Sequence, residues 1–431
     1  MAETSSKISG TSNKLLSLAK QFLNSTTILT IVCLLAFDWF LVSFRPLRYL
    51  NATGFTPLDQ NPVFAKIPEF MKSRENPDVL VLGSSLVLVP AVRCDDAFEG
   101  RKTRYDAWYG RNHLAEYTKS SYFQNLLEHA TGNHYKLTNL GVIASVMSDH
   151  SLIFEKTLAS GKEPKLVICA LAPRDFMDNY RSQIDKTPVY QVLADVTSLG
   201  DLIDRGMPIA QVRDFLIGNL WYFYKVKVDY RTVATLATAK LSGHPVTLFN
   251  ATQNKKVPTT AKSAGGLCAP EEEAQQEVGV LETKIKPDYT PKPNTLSDLE
   301  QYQHVYNPPN RTLFKQQTGY LEKMLKLANR NKINLVLVNM PLSDENKALI
   351  TPGFYDQYLN TVASTANKYD IPFYNLDVRQ NYTLSDFEDS CHMNYSGGQK
   401  FYNALVQAIT TNKQTVAKLT GQKEYIGSNS K

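Results

Sequence analysis

Five short apolar runs, separated by stretches of helical spacing, constrain this chain more than any other feature. The runs are Val79 to Leu82, Tyr135 to Leu140, Leu166 to Leu171, Leu335 to Asn339 and Pro372 to Asn375. Short runs without polar alternation suit strands buried on both faces, and the amphipathic segments between them suit crossover helices. The helix candidates are His113 to His129, Ser148 to Ala159, Leu313 to Asn329, Tyr355 to Lys368 and Ser396 to Ile409. The expected fold class is α/β: a doubly wound, three-layer parallel sheet of about five strands with helices on both faces.

One longer run, TILTIVCLLAFDWFLVSF over residues 27–44, has 18 residues, close to the roughly 20 a helix needs to cross the hydrocarbon core. It ends in large side chains followed by Arg45, Pro46 and Arg48 rather than in a small-residue cleavage site, so it reads as a retained anchor in the lipid bilayer. Lys7, Lys14 and Lys20 precede it, and the positive-inside bias then places residues 1–26 in the cytoplasm and the remainder outside. Asp38 lies within the run, where an unpartnered carboxylate costs about 2.5 to 3.5 kcal/mol. It reads either as hydrated near the outer interface beside Trp39 or as a contact for another membrane protein.

The remaining organisation follows from composition. Residues 45–76 form a proline-containing connector, and the sheet domain takes residues 77–187 and 311–411. Residues 188–243 read as a helical insertion whose cluster FLIGNLWYFY, residues 215–224, either packs on the sheet or lies against the bilayer or a partner. Residues 244–310 shift to Pro, Lys, Thr, Gly and Glu, the composition of a long, partly disordered loop, and residues 412–431 read as a polar tail. The net charge of +6 is too small for a dedicated nucleic-acid binder. Cys33, Cys94, Cys169, Cys268 and Cys391 show no paired spacing, and the seven histidines show no ligand spacing, so no metal site or disulfide framework is expected.

Two segments carry residue types suited to nucleophilic chemistry. In DVLVLGSSL, Asp78 to Leu86, a small-residue turn follows the first strand, at the end where parallel sheets form their ligand crevice. In FEDSCHMNYSGG, Asp389 precedes His392 by three residues, so the carboxylate can orient the imidazole. His150, beside Asp149, is a further candidate for lining the crevice. Read alone, each segment also has a structural explanation: a turn serine, a capping aspartate and a surface histidine.

Taken together, and in this order, the motifs resemble those of the SGNH (GDSL-like) hydrolases and acyltransferases. Gly83-Ser84-Ser85-Leu86 is similar to the family's first block, which makes Ser85 the implied nucleophile, and Asp389 and His392 match its final Asp-x-x-His, with His392 the implied base. The second block falls on Asn139 to Ala144, with Ala144 at the position of the oxyanion glycine and Gly141 nearby. The third falls on Ala172-Pro173-Arg174-Asp175, where Arg174 replaces the family's oxyanion asparagine. Arg174 can donate in its place or bind an anionic group. The resemblance covers about Pro77 to Tyr180 and Leu313 to Thr410, and it is nearest to a membrane-anchored, extracytoplasmic branch that includes teichoic acid D-alanyl transfer and alginate O-acetylation proteins.

The resemblance implies an acyltransferase or esterase of the cell envelope or periplasm, with a Ser85-His392-Asp389 catalytic triad and no cofactor. The oxyanion hole would draw on the Ser85 and Ala144 amides, Gly141 and Arg174. The implied partners are an acylated donor, a glycan or polyol acceptor and a membrane acyl-export protein contacting Asp38. Transfer and hydrolysis both remain open, as does a non-catalytic binding or assembly module that kept the fold and lost the hole.

Overall fold

In a computed structural model of the chain, the described residues are 26–49, 57–61, 63–100, 114–242, 296, 298–378 and 380–421. The chain forms two compact units, Met1–Asp59 with Pro208–Lys256, and Gln60–Met207 with Val257–Lys431. The helical stretch 188–243 is therefore divided at Pro208. Residues 1–25 of the segment expected in the cytoplasm, Cys268, and most of the stretch 244–310 lie outside the described residues.

In the first unit, the helix Thr26–Phe44 is long and apolar enough to cross a membrane, and only Leu41 on it is buried. The helix Tyr222–Ser242 packs against it, and the helix Ile209–Leu220, joined at Trp221, packs against Tyr222–Ser242. The Asp38 carboxylate accepts hydrogen bonds from the backbone N–H of Tyr222 at 3.0 Å and of Phe223 at 2.7 Å. It thus meets the positive end of a helix of its own chain, where unsatisfied N–H groups and the macrodipole both favour an anion. The first unit is fastened again where Tyr222 Oη donates to Asp59 and Leu58 N–H donates to Asp229 at 2.8 Å.

The second unit holds a five-stranded, all-parallel sheet: β1 (Val79–Leu82), β2 (Leu137–Asn139), β3 (Leu166–Leu171), β4 (Leu335–Asn339) and β5 (Phe373–Asn375). Their order is β2-β1-β3-β4-β5, as in flavodoxin-type sheets. Every residue of β1, β3 and β4 is buried, which is why each reads as a continuous apolar run. The helices fall into two sets by mutual packing. One comprises Ser85–Glu99, Ser121–Thr131, Tyr395–Thr411 and Lys413–Thr420; the other includes Met147–Ala159, Arg174–Met177, Arg311–Arg330 and Phe354–Lys368. The order reverses between β1 and β3, so their carboxyl ends flank the topological switch point.

Four expectations change. The connector is not featureless: Val63–Lys72 is helical, and its buried Lys66 donates to the carbonyls of Tyr117 at 2.6 Å and Gly141 at 2.7 Å. The helix expected from His113 begins only at Ser121, because the Asp95 carboxylate accepts from the N–H of Ser121 and Tyr122 and fixes the start there. Within the stretch read as a loop, Leu299–Tyr306 forms a helix, since Leu299, Tyr302, Val305 and Tyr306 share one apolar face, of which Tyr302, Val305 and Tyr306 are buried. The polar tail begins with the helix Lys413–Thr420, capped by Asn412 and anchored by buried Thr415 and Leu419.

Candidate active site

The first strand ends at Leu82, and Gly83 follows under tight packing: a Cβ there would lie 2.7 Å from Val87 Cγ1 and 3.2 Å from Ala170 Cβ. The two serines then divide the work of starting a helix. Ser84 is the N-cap, its hydroxyl accepting from Leu86 N–H at 3.4 Å, while Ser85 occupies the first helical position.

The partner residues sit on a short loop ahead of the last helix. Phe387 and Met393 form an antiparallel bridge, closed by Glu388 N–H donating to His392 O at 2.8 Å. Asp389 serves this loop with one oxygen and the imidazole with the other. Its Oδ1 accepts from the N–H of Cys391 at 2.9 Å and His392 at 2.7 Å, and its Oδ2 lies 2.6 Å from His392 Nδ1. His392 Nε2 lies 2.8 Å from Ser85 Oγ. Ser85 and a pair of side chains 307 positions or fewer beyond it in sequence thus form one hydrogen-bonded chain. A bidentate ion pair joins the same two segments, with Arg93 Nε at 2.7 Å and Nη2 at 3.2 Å from the Glu388 carboxylate.

Burial would lower the pKa of His392, but the adjacent Asp389 carboxylate, with Glu388 and Asp298 adding to it, leaves the pKa above its ordinary value. Asp389 resists the opposing effect of burial: His392 and the two loop amides hold its carboxyl below the usual range. The proton-exchanging pair is sequestered, with Ser85 1 % and His392 0 % exposed.

The expected oxyanion residues divide. Ala144 adopts a left-handed conformation, φ 59°, the geometry that favours glycine at this position. Val142 N–H is engaged with Gly83 O at 2.9 Å and Ser145 N–H with Val142 O at 3.1 Å, whereas those of Ile143 and Ala144 meet no acceptor among the described residues. Gly141 N–H is taken by Asn139 Oδ1 at 2.9 Å. Arg174 is 1 % exposed and donates through Nη2 to Asp178 at 2.9 Å, while its Nε and Nη1 have no partner among the described residues. His150 is tied behind the β1 turn. Its Nε2 lies 2.9 Å from Ser145 Oγ, which also lies 3.1 Å from Gly83 O in that turn and 2.8 Å from Val142 O, and burial together with Arg174 lowers its pKa to about 3.

Two residues bordering the relay, Asp298 and Tyr302, escaped sequence reasoning. Asp298 accepts from Ser390 Oγ at 2.7 Å, and burial with the nearby Asp389 charge raises its pKa. Tyr302 Oη lies 2.8 Å from Cys391 Sγ, which is 3.3 Å from His392 Nδ1. The apolar spacing of Leu299, Tyr302 and Val305 was the available signal, masked by the proline-rich sequence before it. Asp389, Cys391 and His392 also offer donor atoms within 4.8 Å of one another. A metal ion there would have to break the 2.6 Å carboxylate–imidazole contact, so the donor set as arranged suits a proton relay better than an ion.

No curated protein matches the sequence. A family profile, described only as a protein of unknown function (DUF1574), covers residues 117–408; that stretch contains Asp389 and His392 and begins after Ser85. The match takes in more than half of the chain, and the chain belongs to the DUF1574 family.

Proposed function

We propose that this chain is a membrane-anchored, extracytoplasmic serine O-acyltransferase or esterase of SGNH-like type, acting on glycan or polyol esters. One observation carries the reading: the unbroken relay from Ser85 Oγ through the His392 ring to Asp389, with separations of 2.8 and 2.6 Å. In the reaction, His392 Nε2 takes the Ser85 proton as Oγ bonds to the carbonyl carbon of the donor. Asp389 holds the tautomer and stabilises the imidazolium. His392 then gives its proton to the departing alcohol, and an acceptor hydroxyl, deprotonated in turn by His392, releases the acyl group from Ser85.

The charge that develops on the carbonyl oxygen needs donors, and the proposed ones are the N–H groups of Ser85 and Ala144 with Nε and Nη1 of Arg174, which have no partner among the described residues. Losing one such donor typically costs about 2.7 to 4 kcal/mol. The sequestration of Ser85 and His392 from bulk water supports transfer to a bound hydroxyl over hydrolysis.

A fluorophosphonate probe applied to the full-length protein in detergent tests the reading. Native protein is labelled and Ser85→Ala is not; labelling of both, or of neither, favours a binding or assembly module instead. Acyl esters supplied with and without a carbohydrate acceptor then separate transfer from hydrolysis.

A further inference from the structure

We infer that the elbow between the helices Ile209–Leu220 and Tyr222–Ser242 dips into the bilayer beside the anchor helix, giving the chain a second contact with lipid. The inference rests on reading Thr26–Phe44 as a membrane span.

Depth comes from Asp38. It lies six residues before the end of the anchor helix, so at 1.5 Å per residue it sits about 9 Å below the level of Phe44. The N–H groups of Tyr222 and Phe223 donate directly to its carboxylate, and the elbow must therefore share its depth. The ring contact between Phe37 and Phe223, with centroids 5.7 Å apart, repeats the same pairing.

The backbone at the elbow is suited to a place without water, where every unsatisfied N–H costs several kcal/mol. Trp221 N–H donates to Ile217 O at 2.8 Å; Tyr222 and Phe223 donate to Asp38; Tyr224 and Lys225 donate to Trp221 O at 3.1 and 3.4 Å. The chain thus turns a corner with five consecutive donors satisfied internally. The carboxylate, costly alone in hydrocarbon, is offset by the positive end of a helix. At this corner the Leu220 side chain is 79 % exposed while Trp221 and Phe223 are half-buried, an arrangement that costs free energy in water and none in lipid. Polar groups lie toward the other end: Tyr222 Oη reaches Asp59, near Arg45 and Arg48 at the end of the span.

Tryptophan fluorescence in liposomes provides the test, because Trp39 and Trp221 flank the Asp38 junction and Trp108 is the third of three tryptophans. Two full-length variants are reconstituted, one retaining only Trp39 and one only Trp221, the others replaced by Phe, in vesicles whose lipids carry bromine at defined acyl positions. The expected result is that the same bromine position quenches both most strongly and that aqueous iodide quenches neither. Iodide quenching of Trp221 with lipid quenching of Trp39 overturns the elbow and leaves the span intact. Lipid quenching of neither overturns the span itself. Trp221 reached by neither quencher while Trp39 responds to bromine also overturns the proposal, since protein rather than lipid would then cover the elbow.

Discussion

At the residue scale, the Asp389–His392 pair makes opposite demands on pH that can be read separately. The pKa of His392 lies above its ordinary 6.5, so its contribution to stability is complete below 6.5 and is lost as pH rises through the folded value. Asp389 is held below its ordinary 3.8, so its contribution is complete above 3.8 and is lost as pH falls through its folded value. Both contributions are present between 3.8 and 6.5, and there the melting temperature of native protein should exceed that of Asp389→Asn by the widest margin. Under the proposed mechanism activity runs the other way, because only neutral His392 can accept the Ser85 proton. The acid limb of kcat/KM should therefore lie above pH 6.5 in native protein and move to lower pH in Asp389→Asn, together with a large fall in rate. A limb that stays in place would mean that His392 is not the titrating base. These residues were legible in the sequence because an Asp-x-x-His and a serine turn are local patterns. Asp298 and Tyr302 were not, because their role arises from contacts with Ser390 and Cys391, some ninety positions away.

At the element scale, the site depends on how two segments are held together. The Arg93–Glu388 fork is partly exposed, so its removal should cost about 1 kcal/mol of stability or less. Its loss should nevertheless loosen the loop bearing His392 relative to the helix bearing Ser85. Steady-state kinetics of Arg93→Ala should show kcat lower by about tenfold to a hundredfold with little change in melting temperature; unchanged kcat would remove the pair from any positioning role. The last helix offers a contrasting case. A Cβ on Gly397 would lie 2.2 Å from the backbone oxygen of Asp386, an atom that cannot rotate away. Gly397→Ala should therefore destabilise the fold by about 1 to 3 kcal/mol in denaturant titration, and a neutral result would show that the loop is free to shift. The strands β1, β3 and β4 were readable to the residue, since burial on both faces leaves no polar alternation. The helix Lys413–Thr420 was missed for the converse reason: only Thr415 and Leu419 of its eight residues are buried, too few to register as a periodic face.

At the scale of the whole molecule, the chain leaves its first unit at Asp59 and returns to it at Pro208. Apolar spacing predicted helices across that return but could not name what they pack against, because periodicity reports that a face is buried and not which neighbour buries it. Within the sheet unit, β1, β3 and β4 are fully buried whereas β5 is only half-buried at the edge. Hydrogen exchange followed by mass spectrometry should find the slowest amides in Leu166–Leu171 and Leu335–Asn339 and faster ones in Phe373–Asn375. Equal protection of all five strands would contradict the inequality of burial.

The junction of Asp38 with the Tyr222 amide spans 184 positions of sequence. A ribosome adds about 5 to 20 residues per second, so roughly 10 to 40 s separate the synthesis of the acid from that of its backbone donors. During that interval the nascent anchor carries a carboxylate whose permanent ligands do not yet exist. The junction is therefore completed only after the helix Tyr222–Ser242 has been made, so that integration of this chain is a two-stage event whose second stage waits on translation.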